Sequence, residues 1–159
     1  MKPATAKSAL KVQQILGDDF DVLEFEESTR SAADAAKALG CEVAQIAKSM
    51  LFTAVDSRRP VLVIASGPVR VDTAKVGELL GEKIERATPD FVREHSGFAI
   101  GGVPPVGHAV APEVFIDESL LQFDELWAAA GTPNAVFRLS PDDLVRLAEG
   151  RVADIGEDS

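Results

Sequence analysis

Two parts of this sequence carry residues that could do chemistry: a lysine inside an apolar segment, and a stiff loop of glycine and proline. The lysine is Lys48, which stands within the largely apolar residues 43–52. An ammonium group aimed into a pocket can donate to a phosphate, a hydroxyl or a carbonyl as a point charge. The alternative is a lysine on the solvent side of a strand or helix, since lysine is mostly exposed. Nothing in the local sequence decides between the two.

The loop covers residues 97–108 and contains four glycines and two prolines. It cannot sustain a helix or a central strand, because glycine loosens the backbone and proline removes a hydrogen-bond donor. It is nevertheless apolar at Phe98, Ile100, Val103 and Val106, which a solvated linker would not require. We expect a shaped wall whose backbone N–H and C=O groups face a ligand.

Other kinds of chemistry find little support in the sequence. His95 and His108 are the only histidines, and Cys41 is the only cysteine, so neither a metal site nor a disulfide is expected. The glycines match no phosphate-binding fingerprint, and no serine or cysteine triad can be assembled. We therefore expect no cofactor and no metal. A hydrolase of this composition would depend on positioning and on backbone dipoles. His108, at the end of the loop, could line the pocket.

The elements that must position these residues alternate between helices and short strands. Periodicity, capping residues and glycine stops predict five helices, at 7–16, from Thr29 or Ser31 to 39, 73–80, 89–95 and 141–148. Apolar and β-branched runs predict strands at 20–25, 43–55, 60–65, around 84, at 109–116 and at 135–139, with 43–55 and 60–65 forming a hairpin. Residues 119–130 fit a helix as well as a turn and a strand. The long βαβ units of a doubly wound fold are missing, so the pattern favours a mixed α+β domain.

Composition limits the class of protein. With 159 residues, of which 46% are hydrophobic, the chain predicts a single domain over residues 1–159. No apolar run approaches the roughly 20 residues that span a bilayer, and no signal peptide is evident, so we expect a cytoplasmic protein without membrane contact. The net charge of −10 disfavours broad nucleic-acid binding. Only residues 44–93 are basic, with a net charge of +2, so a nucleic-acid contact should be local.

The lysine and the loop together resemble the YbaK/prolyl-tRNA-synthetase-associated domain family. The resemblance rests on Lys48 within residues 47–52 and, some fifty residues later, on the Gly-x-x-x-Pro motif from Gly101 to Pro105. It extends to residues 70–76 and 139–144 and so covers in effect the whole chain. The family includes free-standing aminoacyl-tRNA deacylases and the editing insertion of bacterial prolyl-tRNA synthetases.

The resemblance implies a compact domain with a mixed, barrel-like sheet flanked by helices, in which residues 123–130 form a strand. It also implies trans-editing, which is hydrolysis of the ester between a wrong amino acid and the 3′ end of a tRNA, most typically tRNA(Pro). In that scheme Lys48 orients the terminal nucleotide and aminoacyl group. Backbone groups of the loop, with Gly101, Gly102 and Pro105 as its hallmarks, hold the ester. The substrate's own groups replace a protein nucleophile.

The same reading gives expectations for substrate and partners. Ser49, Phe52, His108 and Asn134 are candidates for contact with the substrate, which by analogy carries a small amino acid. The partner is the acceptor end of a tRNA, held by the basic residues Arg58, Arg59, Arg70 and Lys75, and a synthetase could assist. The alternative is a catalytically inactive module of the same fold that binds tRNA or a synthetase. Sequence-specific DNA binding is disfavoured, because the chain is acidic and has no recognition-helix motif.

Overall fold

Four of the five α-helices of the described residues begin at a capping side chain, and the first, which follows Ala6, does not. The structure, a computed structural model, describes residues 1–27, 29 and 31–158, and this part contains five α-helices. They are α1 (Lys7–Leu16), α2 (Ala32–Leu39), α3 (Thr73–Leu80), α4 (Pro89–Ser96) and α5 (Pro141–Ala148). The Ser31, Asp72, Thr88 and Ser140 side chains each accept a first-turn N–H of the helix that follows. The five predicted helices are confirmed, with Ser31 rather than Thr29 capping α2.

The strands of the described residues form one mixed sheet. They are β1 (Lys2–Pro3), β2 (Val22–Glu24), β3 (Ile46–Ala54), β4 (Pro60–Ser66), β5 (Ile84–Arg86), β6 (Glu113–Asp117), β7 (Leu126–Ala129), β8 (Ala135–Leu139) and β9 (Arg151–Ala153). Their order is β1-β2-β8-β7-β3-β4-β6-β9, and β5 pairs with β3. The predicted hairpin of β3 and β4 is confirmed, whereas β7 lies parallel to β3.

Several predicted strands differ from the observed ones at their boundaries. The strand expected at 43–55 covers only Ile46–Ala54, because residues 43–45 form a 3₁₀ turn, and the strand expected at 20–25 covers only Val22–Glu24. The strand expected at 109–116 begins only at Glu113, because the N–H groups of Ala109 and Val110 donate to carbonyl oxygens at the end of α4. The region left open at 119–130 divides into a 3₁₀ turn over Glu118–Gln122 and the strand β7. The resemblance is therefore right about a strand, although it is shorter than 123–130.

The core lies on both faces of β3. Ala47 and Leu51 belong to the main cluster, which α1, α4 and α5 help to cover, whereas Phe52 and Ala54 belong to a second cluster beneath α3. This alternation is what a strand buried on both faces requires. A third, small cluster joins α2 to the sheet. The α+β class, with a mixed sheet flanked by helices, is confirmed.

Candidate functional site

Lys48 lies in the first half of β3, where the strand leaves the fully buried core. Its Nζ donates to the carbonyl oxygen of Gly67, just past the end of β4, at 3.0 Å. Partial burial lowers the pKa of this ammonium, the carboxylate of Asp117 raises it, and the guanidinium of Arg70 lowers it further. Lys48 is thus a tethered, half-buried cation rather than a freely solvated surface lysine.

Asp117 is a functional candidate that the sequence reasoning missed. It ends β6 and is only 4% exposed. Its carboxylate accepts the N–H of Ser66 at 3.0 Å and the N–H of Ser119 at 2.9 Å. Those bonds fix the end of β4, and the next residue, Gly67, accepts the hydrogen bond from Lys48. An acidic residue directly after the apolar run 114–116 is the signal that could have revealed it.

The two glycines of the loop have different tasks. Gly101 has φ +93°, a conformation that side chains rarely adopt, and a Cβ there would lie 3.4 Å from Pro133. At Gly102 a Cβ would lie 2.7 Å from the Cα of Thr132, so the loop presses directly on another stretch of backbone. The Gly102 N–H donates to Ala99 at 3.0 Å, and its carbonyl accepts from Gly131 at 2.9 Å.

These contacts correct one expectation. Gly102 is buried, and both its N–H and its carbonyl are already hydrogen-bonded within the protein. It therefore holds the loop in place and offers no backbone group to a ligand. Gly101 is exposed, and in the described part of the chain its N–H has no hydrogen-bond partner. Of the two glycines of the motif, only Gly101 therefore keeps a backbone N–H without a hydrogen-bond partner in the described part of the chain.

Lys48 and Gly101 line the same cavity, which has a volume of about 250 Å³ and opens to solvent. Its walls come from the end of β2, the start of α2, β3, the glycine–proline loop, β7 and β8 and the turn between them. The lining is Phe25, Thr29, Ser31, Ala32, Ala35, Ile46, Ala47, Lys48, Ser49, Gly101, Val103, Trp127, Ala128, Ala129, Pro133, Ala135 and Val136. At about 30 Å³ for each water-sized group, the cavity holds roughly eight such groups. Its walls are mostly small and apolar.

Ser49 and Asn134 place buried polar atoms at or beside this cavity. The Oγ of Ser49 is buried and has no hydrogen-bond partner among the described residues, and the same holds for the Oδ1 of Asn134. Asn134 does not line the cavity, although Pro133 and Ala135 do. Its Nδ2 donates to the carbonyl oxygen of Phe25 at 3.1 Å. Asn134 therefore joins the turn between β7 and β8 to the residue that follows β2, whereas Ser49 has a hydroxyl without a hydrogen-bond partner among the described residues.

Three other candidates do not line the cavity. Phe52 is 3% exposed and packs in the second core cluster, so direct contact with a ligand there is not expected. Pro105 is buried within the loop. The Nε2 of His108 donates to the carbonyl oxygen of Pro104 at 2.8 Å, and this bond stabilises the loop at residues that do not line the cavity. Burial lowers the pKa of His108, and the bond to Pro104 opposes that shift.

The four basic residues predicted to hold a nucleic acid are mostly neutralised. Three are paired with carboxylates at N···O distances of 3.0 to 3.4 Å: Arg58 with Glu85, Arg59 with Glu82, and Lys75 with both Asp154 and Asp158. Arg70 has no ion pair among the described residues, and it is close enough to Lys48 to lower the pKa of that ammonium. The basic surface next to the cavity is therefore small.

A larger, shallower depression of about 730 Å³ adjoins the cavity and shares Phe25 and Thr29 with it. Its charged lining is mostly acidic, with Glu26, Glu27 and Asp34 against Lys37 and the amino group of Met1. Such a surface suits a phosphate poorly. Within the described residues, no helix has the length and apolar character to cross a bilayer.

Comparisons with known proteins define the class. A model of the aminoacyl-tRNA editing domain matches residues 26–147, and the chain belongs to this family. The match confirms the family expected from Lys48 and the glycine–proline loop.

Individual relatives agree with that assignment. YwhH of Bacillus subtilis (strain 168), an uncharacterized protein, is 35% identical over 132 residues, which is 83% of each chain. EbsC of Enterococcus faecalis (strain ATCC 700802 / V583), whose name proposes a Cys-tRNA(Pro)/Cys-tRNA(Cys) deacylase, is 26% identical over 82% of this chain and 80% of its own. A crystal structure described as a proposed trans-editing enzyme for prolyl-tRNA synthetase superposes with a TM-score of 0.92 at 43% identity, covering 98% of this chain and all of the other.

Proposed function

We propose that this protein is a hydrolase that removes a small amino acid from mischarged tRNA(Pro). The observation that carries the proposal is that two residues line one small cavity: Lys48, whose ammonium is half-buried, and Gly101, whose N–H has no hydrogen-bond partner among the described residues. Family membership supports the reaction class, and the names of two relatives refer to prolyl-tRNA or to its synthetase.

Lys48 is suited to hold the reacting end of the substrate. An ammonium has three N–H donors, and the tether to Gly67 uses one of them. The remaining donors can reach a phosphate, a ribose hydroxyl or an oxyanion. Because the group is partly desolvated, its interaction with a developing negative charge is stronger than it would be in water.

Gly101 supplies a second donor to the same charge. As the ester carbonyl becomes tetrahedral, its oxygen gains charge, and a prearranged N–H stabilises it without reorganisation. The positive φ of Gly101 sets the direction of this peptide group, and the contacts of Gly102 hold it in place. The loop thus contributes to catalysis through its backbone.

The protein's own nucleophiles are poorly placed for this reaction. Burial is the largest influence on the thiol of Cys41 and raises its pKa, which is the reverse of thiolate activation, and Cys41 does not line the cavity. Ser49 does line it, but its Oγ has no base within hydrogen-bond distance among the described residues. Both histidines are bonded to carbonyl oxygens within their own segments. We therefore assign the attack on the ester carbonyl to a water molecule, which the neighbouring 2′-hydroxyl of the substrate can orient. The bond from the acyl carbon to the ribose oxygen then breaks, and that oxygen leaves as a hydroxyl after taking up a proton from the attacking water.

The lining favours a small amino acid. Six alanines and Val103 line a volume of about 250 Å³ that must also admit the ester and part of a ribose. The hydroxyl of Ser49 can bond the α-ammonium or a polar side chain of the substrate. Alanine, serine, threonine and cysteine are the candidates.

The test is deacylation of tRNA(Pro) charged with each of these amino acids and with proline. We expect Lys48→Met to lower kcat/KM on the preferred substrate by about 100-fold, comparable to loss of one oxyanion donor. The matched control is Lys83→Met, an exposed lysine of the same basic segment outside the cavity. Equal activity of the two variants would remove Lys48 from the mechanism. Binding of tRNA without hydrolysis of any ester would instead establish the inactive binding module.

A further inference from the structure

Trp127 is the one large aromatic ring that lies partly exposed in the described lining of the cavity, since Phe25 is only 3% exposed. On β7 its neighbours Leu126 and Ala128 are buried in the main core, so the alternation of the strand directs Trp127 to the opposite face. There it packs, as Ile46 does, against the small buried cluster that joins α2 to the sheet. The ring is therefore supported by the protein and partly open to the cavity.

An arginine stands next to this ring. Trp127 is directly opposite Arg138 in the antiparallel pair of β7 and β8, and directly opposite side chains share a face of the sheet. The Arg138 side chain is 64% exposed, and its ion pair with Glu125 is long, at 3.7 Å. A cation and an aromatic ring are thus presented side by side at the edge of the cavity.

The register also fixes how far the ring is from Lys48. Ile46 on β3 is paired with Trp127, and Lys48 lies two residues further along the same face. With a rise of about 3.3 Å per residue and strands about 4.8 Å apart, the two Cα atoms are roughly 8 Å apart. A single nucleotide can bridge that separation, with its base on one residue and its ribose at the other.

We propose that Trp127 is the stacking platform for the terminal adenine of the tRNA and that Arg138 contacts the adjoining backbone phosphate. The proposal rests on the proposed function for its substrate. Proteins bind unpaired bases by combining aromatic stacking with basic contacts to the backbone. Trp127 is a positioning residue, because it holds the nucleotide whose ribose carries the ester while Lys48 and Gly101 act on the ester itself.

The first test uses the protein's own fluorescence. Trp127 is the single tryptophan and the chain has no tyrosine, so tryptophan emission reports on this site alone. Titration with the trinucleotide CCA should quench the emission, and CC followed by an abasic residue should bind at least fivefold more weakly. Arg138→Gln should make the salt dependence of CCA binding shallower by about 0.7 in a log–log plot, corresponding to one phosphate contact on a single strand. Equal binding of the two oligonucleotides overturns the stacking role.

The second test separates stacking from structural support. Trp127→Leu should raise KM for mischarged tRNA by about 5- to 100-fold, which is the range of one base–aromatic stack, with kcat changed less than threefold. Trp127→Phe should recover most of the lost affinity, and Phe123→Leu, a partly exposed aromatic outside the cavity, should leave KM unchanged. An unchanged KM in Trp127→Leu, or an equal fall of kcat in the leucine and phenylalanine variants, overturns the proposal. If the wild type hydrolyses no ester, the proposed function fails, and the CCA titration still tests Trp127 independently.

Discussion

Replacing Gly102 by alanine tests whether the loop is held by close backbone packing. The added Cβ would lie 2.7 Å from the Cα of Thr132 and 2.8 Å from the carbonyl oxygen of Gly131, and neither atom belongs to a flexible side chain. Overpacking of this kind destabilises by about 1–3 kcal/mol. If the 2.9 Å hydrogen bond between Gly131 and Gly102 is lost as well, about 1 kcal/mol more is expected.

The expected total destabilisation of about 2–4 kcal/mol corresponds to a fall in Tm of about 5–15 °C for a chain of this size. Thermal unfolding followed by circular dichroism measures it. Because the loop must move away from the β7–β8 turn, Gly101 moves too, and we expect deacylation at 25 °C to fall at least tenfold while the protein is still folded.

Gly81→Ala is the matched control. Gly81 ends α3 with the same φ of +93° as Gly101, and a Cβ there would meet no atom within 4 Å. It should lose about 1–2 kcal/mol from backbone strain alone and keep its activity. If Gly102→Ala is as stable and as active as wild type, the loop can retreat without consequence, and the reasoning about its packing is wrong.

Three further predictions concern pH, charge and cavity size. Burial keeps the pKa of His108 below its ordinary value, so below about pH 6.5 the unfolded chain binds the extra proton more readily and the free energy of unfolding falls. His108→Gln should therefore flatten the pH dependence of the urea midpoint between pH 7.5 and 5. Identical slopes for the variant and the wild type would contradict this. In filter-binding assays, Arg70→Glu should weaken tRNA binding and make its salt dependence shallower. Arg58→Glu changes a residue already paired with Glu85, so it should leave both the affinity and its salt dependence unchanged. Ala129→Val should lower kcat/KM for threonyl-tRNA at least tenfold more than for alanyl-tRNA, since one methylene in a pocket alters selectivity by about 10- to 200-fold. An equal loss for both substrates would show that Ala129 does not determine which amino acid is accepted.

The helices could be predicted because their signals are local. Ser31, Asp72, Thr88 and Ser140 cap the helices that follow them, and each bond reaches only two or three residues along the chain. The short strands could not be predicted so well. β1 and β9 are two and three residues long, and they exist only because β2 and β6 offer edges to pair with. Such pairing is a property of the folded sheet.

The site was predictable in outline and not in its polar details. The sequence offered Lys48 and the glycine–proline loop, and the structure brings Lys48, Ser49 and Gly101 to one cavity. The sequence could not distinguish Gly101, whose N–H has no partner among the described residues, from Gly102, whose N–H and carbonyl are bonded to the backbone of Ala99 and Gly131. The sequence marks Asp117 only as an acidic residue after an apolar run. Its contact with Ser66, 51 residues away in the chain, becomes evident only when β4 and β6 lie side by side.

The position of the cavity follows from how the wall that carries Lys48 is connected to the wall that carries Gly101. Lys48 is on β3, and β7 lies parallel to that strand. The turn from β7 to β8 carries Gly131, whose N–H bonds the carbonyl of Gly102 and so joins the glycine–proline loop to the sheet. Lys48 and Gly101, some fifty residues apart in sequence, are therefore linked through one strand and one turn. Perturbing Gly131 or Gly102 should move the backbone donor relative to the ammonium without touching either, and deacylation should fall in variants that are still folded at 25 °C.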